Sequence, residues 1–191
     1  IAVDQTYDSL HFLKTRSLEE GLDNIHLVQD DVREVKFKNI ADYAIVNGVL
    51  EWIPEKSEVI VDEYLGKNGS KLKNSTNNNM LKNPRDMQID FLKKVHESLK
   101  TGGQLFLAIE NKLNYAYLMG RSDPHVNLKF TTFLPRSISN IISRIFKKKD
   151  YRTYIYSFTE LKDLLKEAGF QKIEDYCCFP MYHFPSLIFP N

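Results

Sequence analysis

The 191-residue sequence has little cysteine, no excess of either charge and no long apolar run, and each shortage excludes a class of protein. Cys177 and Cys178 are adjacent and form no CxxC pattern, which argues against a disulfide framework or a metal site. Lys and Arg number 26 against 25 for Asp and Glu, so no nucleic-acid partner is expected. No apolar run reaches the roughly 18 residues of a transmembrane helix. We therefore predict a cytoplasmic protein.

The sequence does contain alternating short apolar runs and amphipathic segments. Because 42% of the residues are hydrophobic, the chain can bury one sizeable core, and we predict a single domain over 1–191. A capping box, Ser157 with Glu160, starts the clearest helix, and Gly169 ends it. The predicted strands are 25–29, 42–47 and 104–110. The predicted helices are 87–99, between the second and third of these strands, and 157–169. This alternation predicts an α/β fold with a mostly parallel sheet.

Polar residues stand at the predicted strand ends. They are Asp4, Asp31, Asn47, and Glu110 with Asn111. Carboxyl ends of parallel strands lie along one edge of a sheet, where such folds bind ligands, so these residues are expected to converge. The alternative interpretation is that polar residues mark the strand ends because turns require them.

Segments in a particular order resemble the class I S-adenosylmethionine-dependent methyltransferases over nearly the whole chain. They are AVDQTYDSL, HLVQDDVREVKF, ADYAIVNGVLEWI, FLKKVHESLKTGGQLFLAIEN and the final helix, glycine and strand. The resemblance implies a Rossmann-like, three-layer fold: a mostly parallel sheet with helices on both faces and an antiparallel C-terminal strand. It also implies S-adenosyl-L-methionine as cofactor and methyl transfer to a small molecule or a glycan-type acceptor. The KTGG turn resembles the family's turn into the fifth strand, with Thr101 replacing a proline.

The same resemblance implies three groups of cofactor-binding residues. They would contact the ribose (Asp4, Gln5), the adenine (Asp31, Val32), and the methionine part with its methyl group (Asn47, Gly48, Val49). A carboxylate suits both of the first two partners, because a vicinal diol and an exocyclic amine are hydrogen-bond donors.

The family's first strand and glycine-rich GxGxG loop have no counterpart in this sequence and would come just before Ile1. We therefore expect the 191 residues to be part of a longer chain. Two other functions stay open. An NAD-type dinucleotide-binding oxidoreductase also ends its second strand in an acid that holds a ribose. A noncatalytic binding module could keep the methyltransferase fold.

Two stretches fall outside the common pattern. Residues 66–86 are rich in Asn, Lys, Ser and Gly, which predicts a mobile surface insertion. Residues 112–156 are rich in aromatic side chains and are expected to form a cover over the acceptor. Within this region, 137–149 predicts a basic amphipathic helix with isoleucines along one face. We expect that face to pack on its own domain as a lid, and peripheral membrane contact is the alternative.

Three further stretches resemble a subgroup of bacterial methyltransferases associated with glycan and cell-surface sugar assembly. They are AIENKLNYAYLMGRSDPH, YRTYIYSFTELKDLLKEAGF and FPMYHFPS. The resemblance implies an acid-x-His element, Asp123 and His125, in a catalytic role. A histidine is suited to accept a proton from an acceptor hydroxyl. Tyr182 and His183 form a second candidate pair.

Overall fold

The computed structural model describes residues 1–54, 83–123, 127–148, 151 and 154–191. The strands in this part of the chain are β1 (Ala2–Asp4), β2 (Leu27–Gln29), β3 (Ala41–Asn47), β4 (Leu99–Ala108), β5 (Tyr176–Phe179) and β6 (Leu187–Pro190). Its α-helices are α1 (Tyr7–Glu19), α2 (Pro84–Ser98), α3 (Tyr115–Leu118), α4 (Arg136–Lys147) and α5 (Phe158–Glu167). Short 3₁₀ turns cover Leu50–Trp52 and Thr131–Phe133. The predicted α/β fold is confirmed.

The described strands form three two-stranded sheets. Strand β1 pairs with β2 and β3 pairs with β4, both in parallel, whereas β5 and β6 are antiparallel. In the first sheet Asp4 lies opposite Gln29, and in the second Asn47 lies opposite Ala108. Each parallel pair therefore ends in polar residues at one edge. A continuous three-layer sheet stays a prediction.

The glycines of the KTGG segment lie inside a strand and not in a turn before it. Strand β4 begins at Leu99, directly after α2, and its pairing with β3 shifts between Ala41 and Tyr43. Gly102 has a φ of +82°, which a glycine adopts without strain. A Cβ at Gly103 would lie 3.0 Å from the Lys100 carbonyl oxygen. The two glycines thus form an irregularity that extends the strand toward the helix.

Helix α2 covers the β3–β4 sheet with its apolar face. Asn83 caps it by accepting a hydrogen bond from the Arg85 N–H, and Pro84 occupies the first turn, where a missing N–H costs nothing. Ile89 and Leu92 are buried on the inner face. The core that they join consists of Val46, Leu50, Ile53, Ile89, Phe91, Leu92, Leu164, Leu165 and Ala168.

Helix α5 closes the same core and confirms the predicted capping box. Ser157 accepts a hydrogen bond from the Glu160 N–H, and the Glu160 carboxylate accepts one from the Ser157 N–H. Gly169 follows the helix with a φ of +111°. An ion pair of 2.7 Å between Arg85 and Glu167 joins α2 to α5 at the surface.

The two stretches outside the common pattern are described in part. Residues 66–82 of the predicted insertion lie outside the described residues, whereas its last four residues are the N-cap of helix α2, Asn83, and the first turn that follows. In the predicted cover, α4 does not bury its isoleucine face as a lid would. Ile141 and Ile145 are 58% and 68% exposed, whereas Ser139 and Ser143 are fully buried. None of the described helices has the length and apolar character needed to cross a bilayer.

Candidate active site

Asp4 and Gln5 lie at the carboxyl end of β1. The resemblance to methyltransferases implies that these two residues contact the ribose. Oδ1 of Asp4 accepts two hydrogen bonds from Thr6, one from its N–H at 2.7 Å and one from its hydroxyl at 2.6 Å. No hydrogen bond reaches Oδ2 from the rest of the described chain. The carbonyl of Gln5 accepts a long hydrogen bond from the Gln29 amide. The Asp4 carboxylate is thus held in place by one oxygen and has the other available.

Asp31 lies near the same edge but is engaged in an ion pair. The Asp30 N–H donates to the Asp4 carbonyl, and Asp31 lies two residues beyond the end of β2. Both carboxylate oxygens of Asp31 accept hydrogen bonds from the Arg33 guanidinium, and this contact raises the pKa of Arg33. Val32 packs against the core. Any further donor has to share the Asp31 carboxylate with Arg33.

Gly48 forms the turn after β3 and is surrounded by polar groups. Its N–H donates to the Ala108 carbonyl at 2.9 Å, and its φ is +64°. A Cβ at this position would lie 2.9 Å from Tyr182 Oη, 3.6 Å from Glu51 Oε1 and 3.8 Å from His183 Nε2. The Cα of Gly48 therefore lies against three polar side chains, here called the polar cradle, and Tyr182 Oη already occupies the space that a Cβ would take. On either side of it, Asn47 is exposed and Val49 packs against the core.

Two carboxyl groups form the wall of this cradle. Glu51 comes from the 3₁₀ turn after β3 and is only 3% exposed, and Glu110 lies two residues beyond β4. The Tyr182 hydroxyl, from the segment between β5 and β6, donates to Glu110 Oε1 at 3.3 Å. Oε2 of each glutamate is buried and accepts no hydrogen bond from another residue of the described chain, and the two side chains hydrogen-bond to each other when Glu51 is protonated. Three separate segments thus meet at one buried acidic pair.

Burial determines the protonation of this pair. It raises the pKa of Glu51 from 4.5 to about 8, and the nearby Glu110 carboxylate raises it as well. Glu51 consequently keeps a proton at neutral pH. Burial and the neighbouring acids also raise the pKa of Tyr182 and of Tyr117, so both phenols stay protonated donors.

A buried glutamine fixes the turn that carries Glu51. Gln88 on α2 is fully buried, and its amide nitrogen donates to the Leu50 carbonyl at 2.7 Å and to the Tyr154 carbonyl at 3.4 Å. Its amide oxygen accepts a hydrogen bond from the Tyr156 hydroxyl. The sequence analysis did not single out Glu51 or Gln88. The available signal was a lone acid within the apolar run VLEWI, which is typical of a buried charge.

Of the two residues predicted to be catalytic, one lies outside the described residues and the other is buried and hydrogen-bonded to other parts of the protein. His125 lies outside the described residues. Asp123 is 1% exposed, accepts a hydrogen bond of 2.9 Å from the Tyr151 hydroxyl and has a backbone hydrogen bond to Leu128. The role of Asp123 with His125 stays a prediction. Of the second candidate pair, both Tyr182 and His183 face Gly48.

Comparisons with known proteins give a result at the level of the fold. No protein-family model and no curated protein sequence matches the chain. An S-adenosylmethionine-dependent methyltransferase structure from Methanosarcina mazei matches with a TM-score of 0.54 and 11% identity, covering 97% of this chain and 76% of its own. The methyltransferase SibL matches with a TM-score of 0.51 and 11% identity, over 95% of this chain and 39% of SibL.

A possible exported protein from Bordetella parapertussis matches with a TM-score of 0.54 and 12% identity. The match covers 94% of this chain, which spans about half the length of that protein, 49%. Taken together, these structures show that the chain has the fold of the class I S-adenosylmethionine-dependent methyltransferases.

Proposed function

We propose that the chain is an S-adenosylmethionine-dependent methyltransferase that acts on a small-molecule or glycan-type acceptor in the cytoplasm. The observation that carries the proposal is the polar cradle around Gly48, at the carboxyl ends of β3 and β4 in a methyltransferase fold. Ligands of parallel α/β folds bind at this edge of the sheet.

Of the three predicted cofactor contacts, the one at Asp4 has a polar group available to the cofactor. Oδ2 of Asp4 is available to a ribose hydroxyl, while Thr6 fixes the orientation of the carboxylate through Oδ1. At Gly48 the close approach to the backbone is made by Tyr182 Oη, so a cofactor would have to displace this hydroxyl to reach the same backbone. At the adenine, the Asp31 carboxylate is shared with Arg33.

S-adenosyl-L-methionine, when bound, supplies a methyl group on a sulfonium, which leaves as a neutral thioether. The protein's own work is to hold the acceptor in line with that methyl group and to exclude water. Asp4 would hold the ribose of the cofactor, and the side chains around Gly48 would orient the acceptor. His125, with Asp123, is proposed to accept the acceptor's proton.

The ion pair between Asp31 and Arg33 is the observation that favours a second candidate, a noncatalytic module that keeps the fold. An adenine contact that is already occupied would weaken cofactor binding. Parallel calorimetric titrations with S-adenosylhomocysteine and with NAD separate the candidates. The methyltransferase requires binding of the first and not of the second, the NAD-type oxidoreductase requires the reverse, and the noncatalytic module is expected to bind neither.

The ribose assignment is tested by Asp4→Ala, with Asp163→Ala on the exposed face of α5 as the matched control. Loss of a hydrogen bond to a charged group is expected to weaken S-adenosylhomocysteine binding by roughly tenfold to 100-fold. The control is expected to bind as the unchanged protein does. Equal affinity of Asp4→Ala and Asp163→Ala would remove Asp4 from the site.

His125→Ala is expected to act on turnover and not on binding. Removal of a general base lowers the rate by roughly 100-fold to 10,000-fold. S-adenosylhomocysteine affinity should be retained in the same variant. Full turnover in His125→Ala, measured by transfer of a tritiated methyl group, would show that another group accepts the proton.

A further inference from the structure

Helix α4 presents a row of large apolar side chains to solvent. Ile138, Ile141 and Ile145 are spaced three and four residues apart, so they lie on one face of the helix. Ile141 and Ile145 are 58% and 68% exposed, and Phe146, beside this row, is exposed as well. We call these four side chains the apolar ridge of α4. Such a contiguous exposed apolar patch is typical of an interaction surface.

Contacts on another side of α4 hold the ridge in this outward orientation. Ser139 and Ser143 are fully buried, and the Ser139 hydroxyl donates to the Thr131 carbonyl at 2.7 Å. At the start of the helix the Arg136 guanidinium lies over the ring of Tyr154, 3.7 Å from its centroid. A rotation of α4 that buried the ridge would break these contacts. The ridge is therefore a fixed, convex surface of the protein.

Positive charge adjoins the ridge without any acid in the same helix. The 12 residues of α4 and its cap, Lys148, include Arg136, Arg144 and Lys147 and neither Asp nor Glu. Lys148 follows Ile145 by three residues and so continues the same face. No ion pair joins Lys147 or Lys148 to another residue in the described ranges. The surface that covers the ridge is thus expected to be apolar and negatively charged.

Three kinds of occupant can be compared on these properties. A second copy would place the positive charge of one α4 against that of the other, with no acid on either helix to compensate. A specific protein partner forms about one hydrogen bond per 100–200 Å² of interface, and the ridge carries no side-chain donor or acceptor. A bilayer needs none, because its acyl chains accept apolar side chains and its anionic headgroups attract lysines.

We propose that the apolar ridge, together with Lys147 and Lys148, docks the protein on an anionic phospholipid bilayer, with α4 lying parallel to the membrane surface. The ridge enters the boundary between headgroups and acyl chains, while the two lysines extend to the anionic headgroups. The inference goes beyond the proposed function and is independent of it, since it uses no residue of the candidate active site.

The first experiment measures binding of the full chain to vesicles by sedimentation. Vesicles of phosphatidylserine and phosphatidylcholine in equal parts should bind the protein roughly tenfold more strongly, or more, than phosphatidylcholine alone, because two lysines then face anionic headgroups.

The contribution of the ridge is measured with the mixed vesicles. Ile141→Ser with Ile145→Ser should weaken binding roughly tenfold or more, because two large apolar side chains no longer leave water. Phe12→Ser with Leu18→Ser on α1 is the matched control, since these side chains are 67% and 64% exposed on a helix. The control pair should bind as the unchanged protein does.

The second experiment measures which surface enters the bilayer. Ile145→Trp adds an indole to the ridge, and Leu18→Trp adds one to α1, while Trp52 contributes the same background to both. Vesicles with brominated acyl chains quench an indole that reaches the acyl chains. Quenching should therefore be stronger in Ile145→Trp than in Leu18→Trp. Equal quenching would mean that the protein adsorbs without a fixed orientation, and it would overturn the proposal.

Other occupants of the ridge would give different results. If the unchanged chain binds no vesicles, the proposal is wrong and a protein partner is the remaining occupant. If Ile141→Ser with Ile145→Ser converts a dimer into monomers in analytical ultracentrifugation and leaves vesicle binding unchanged, the ridge is an interface between copies. Neither result changes S-adenosylhomocysteine binding, so failure of this inference and failure of the proposed function are distinguishable.

Discussion

Helices α2 and α4 are both amphipathic, and they bury opposite kinds of face. Helix α2 turns Ile89 and Leu92 into the core, whereas α4 buries Ser139 and Ser143 and leaves Ile141 exposed to solvent. The Ser139 hydroxyl donates to the Thr131 carbonyl at 2.7 Å, so α4 approaches the 3₁₀ turn through small side chains. The comparison teaches that an apolar stripe shows where a helix can be covered, and not which surface covers it.

The comparison is tested most strongly by equal truncations on the two helices. Leu92→Ala removes a fully buried side chain and is expected to lower the free energy of unfolding by about 3 kcal/mol. Ile141→Ala, at 58% exposure, is expected to cost below about 0.5 kcal/mol. Urea unfolding measures both. A comparable loss in Ile141→Ala would show that the outer face of α4 is covered in solution.

Peripheral membrane contact is the alternative that the sequence leaves for 137–149, and the exposed isoleucines with Lys147 and Lys148 favour it over the lid. We expect binding to phosphatidylserine vesicles in a sedimentation assay. Replacing both lysines with Gln should weaken it by about 2 kcal/mol, at roughly 1 kcal/mol for each charge. Lys36→Gln with Lys38→Gln is the control pair. Equal weakening by both pairs would mean nonspecific charge attraction.

The inner face of α4 gives the smallest expected effect. Ser139→Ala removes the hydrogen bond to the Thr131 carbonyl and should cost about 1 kcal/mol. Ser137→Ala, on the exposed side of the same helix, should be neutral within error. Thermal unfolding of the two variants compares them. If both are neutral, close packing and not the hydrogen bond holds α4 in place.

Local patterns predicted most of the regular elements. The strand over 42–47 and the helix after Ser157 are present because alternation, a capping box and a terminal glycine act within a few residues. The irregularity at Gly102 and Gly103 was not predicted. A glycine pair before a strand has the same sequence signature whether it precedes the pairing or interrupts it, and only the register with β3 distinguishes the two.

The candidate site was predictable at its strand ends and not at its buried acids. The positions of Asp4 and Gly48 follow from where strands stop. The pairing of Glu51 with Glu110 depends on contacts between segments far apart in the chain, as does the support from Gln88. Likewise, the engagement of Asp31 by Arg33 is decided by side-chain geometry, which a sequence pattern does not carry.

The support of Gln88 has a consequence for how the surroundings of Gly48 can change. One buried amide holds the Leu50 carbonyl, the Tyr154 carbonyl and the Tyr156 hydroxyl, so the wall carrying Glu51 cannot be adjusted without disturbing three neighbours at once. The opposite wall, Tyr182, comes from an exposed hairpin and reaches the site through a single long hydrogen bond. Substitutions in the hairpin can therefore change the surroundings of Gly48 while the Glu51 side, held by Gln88, stays constant.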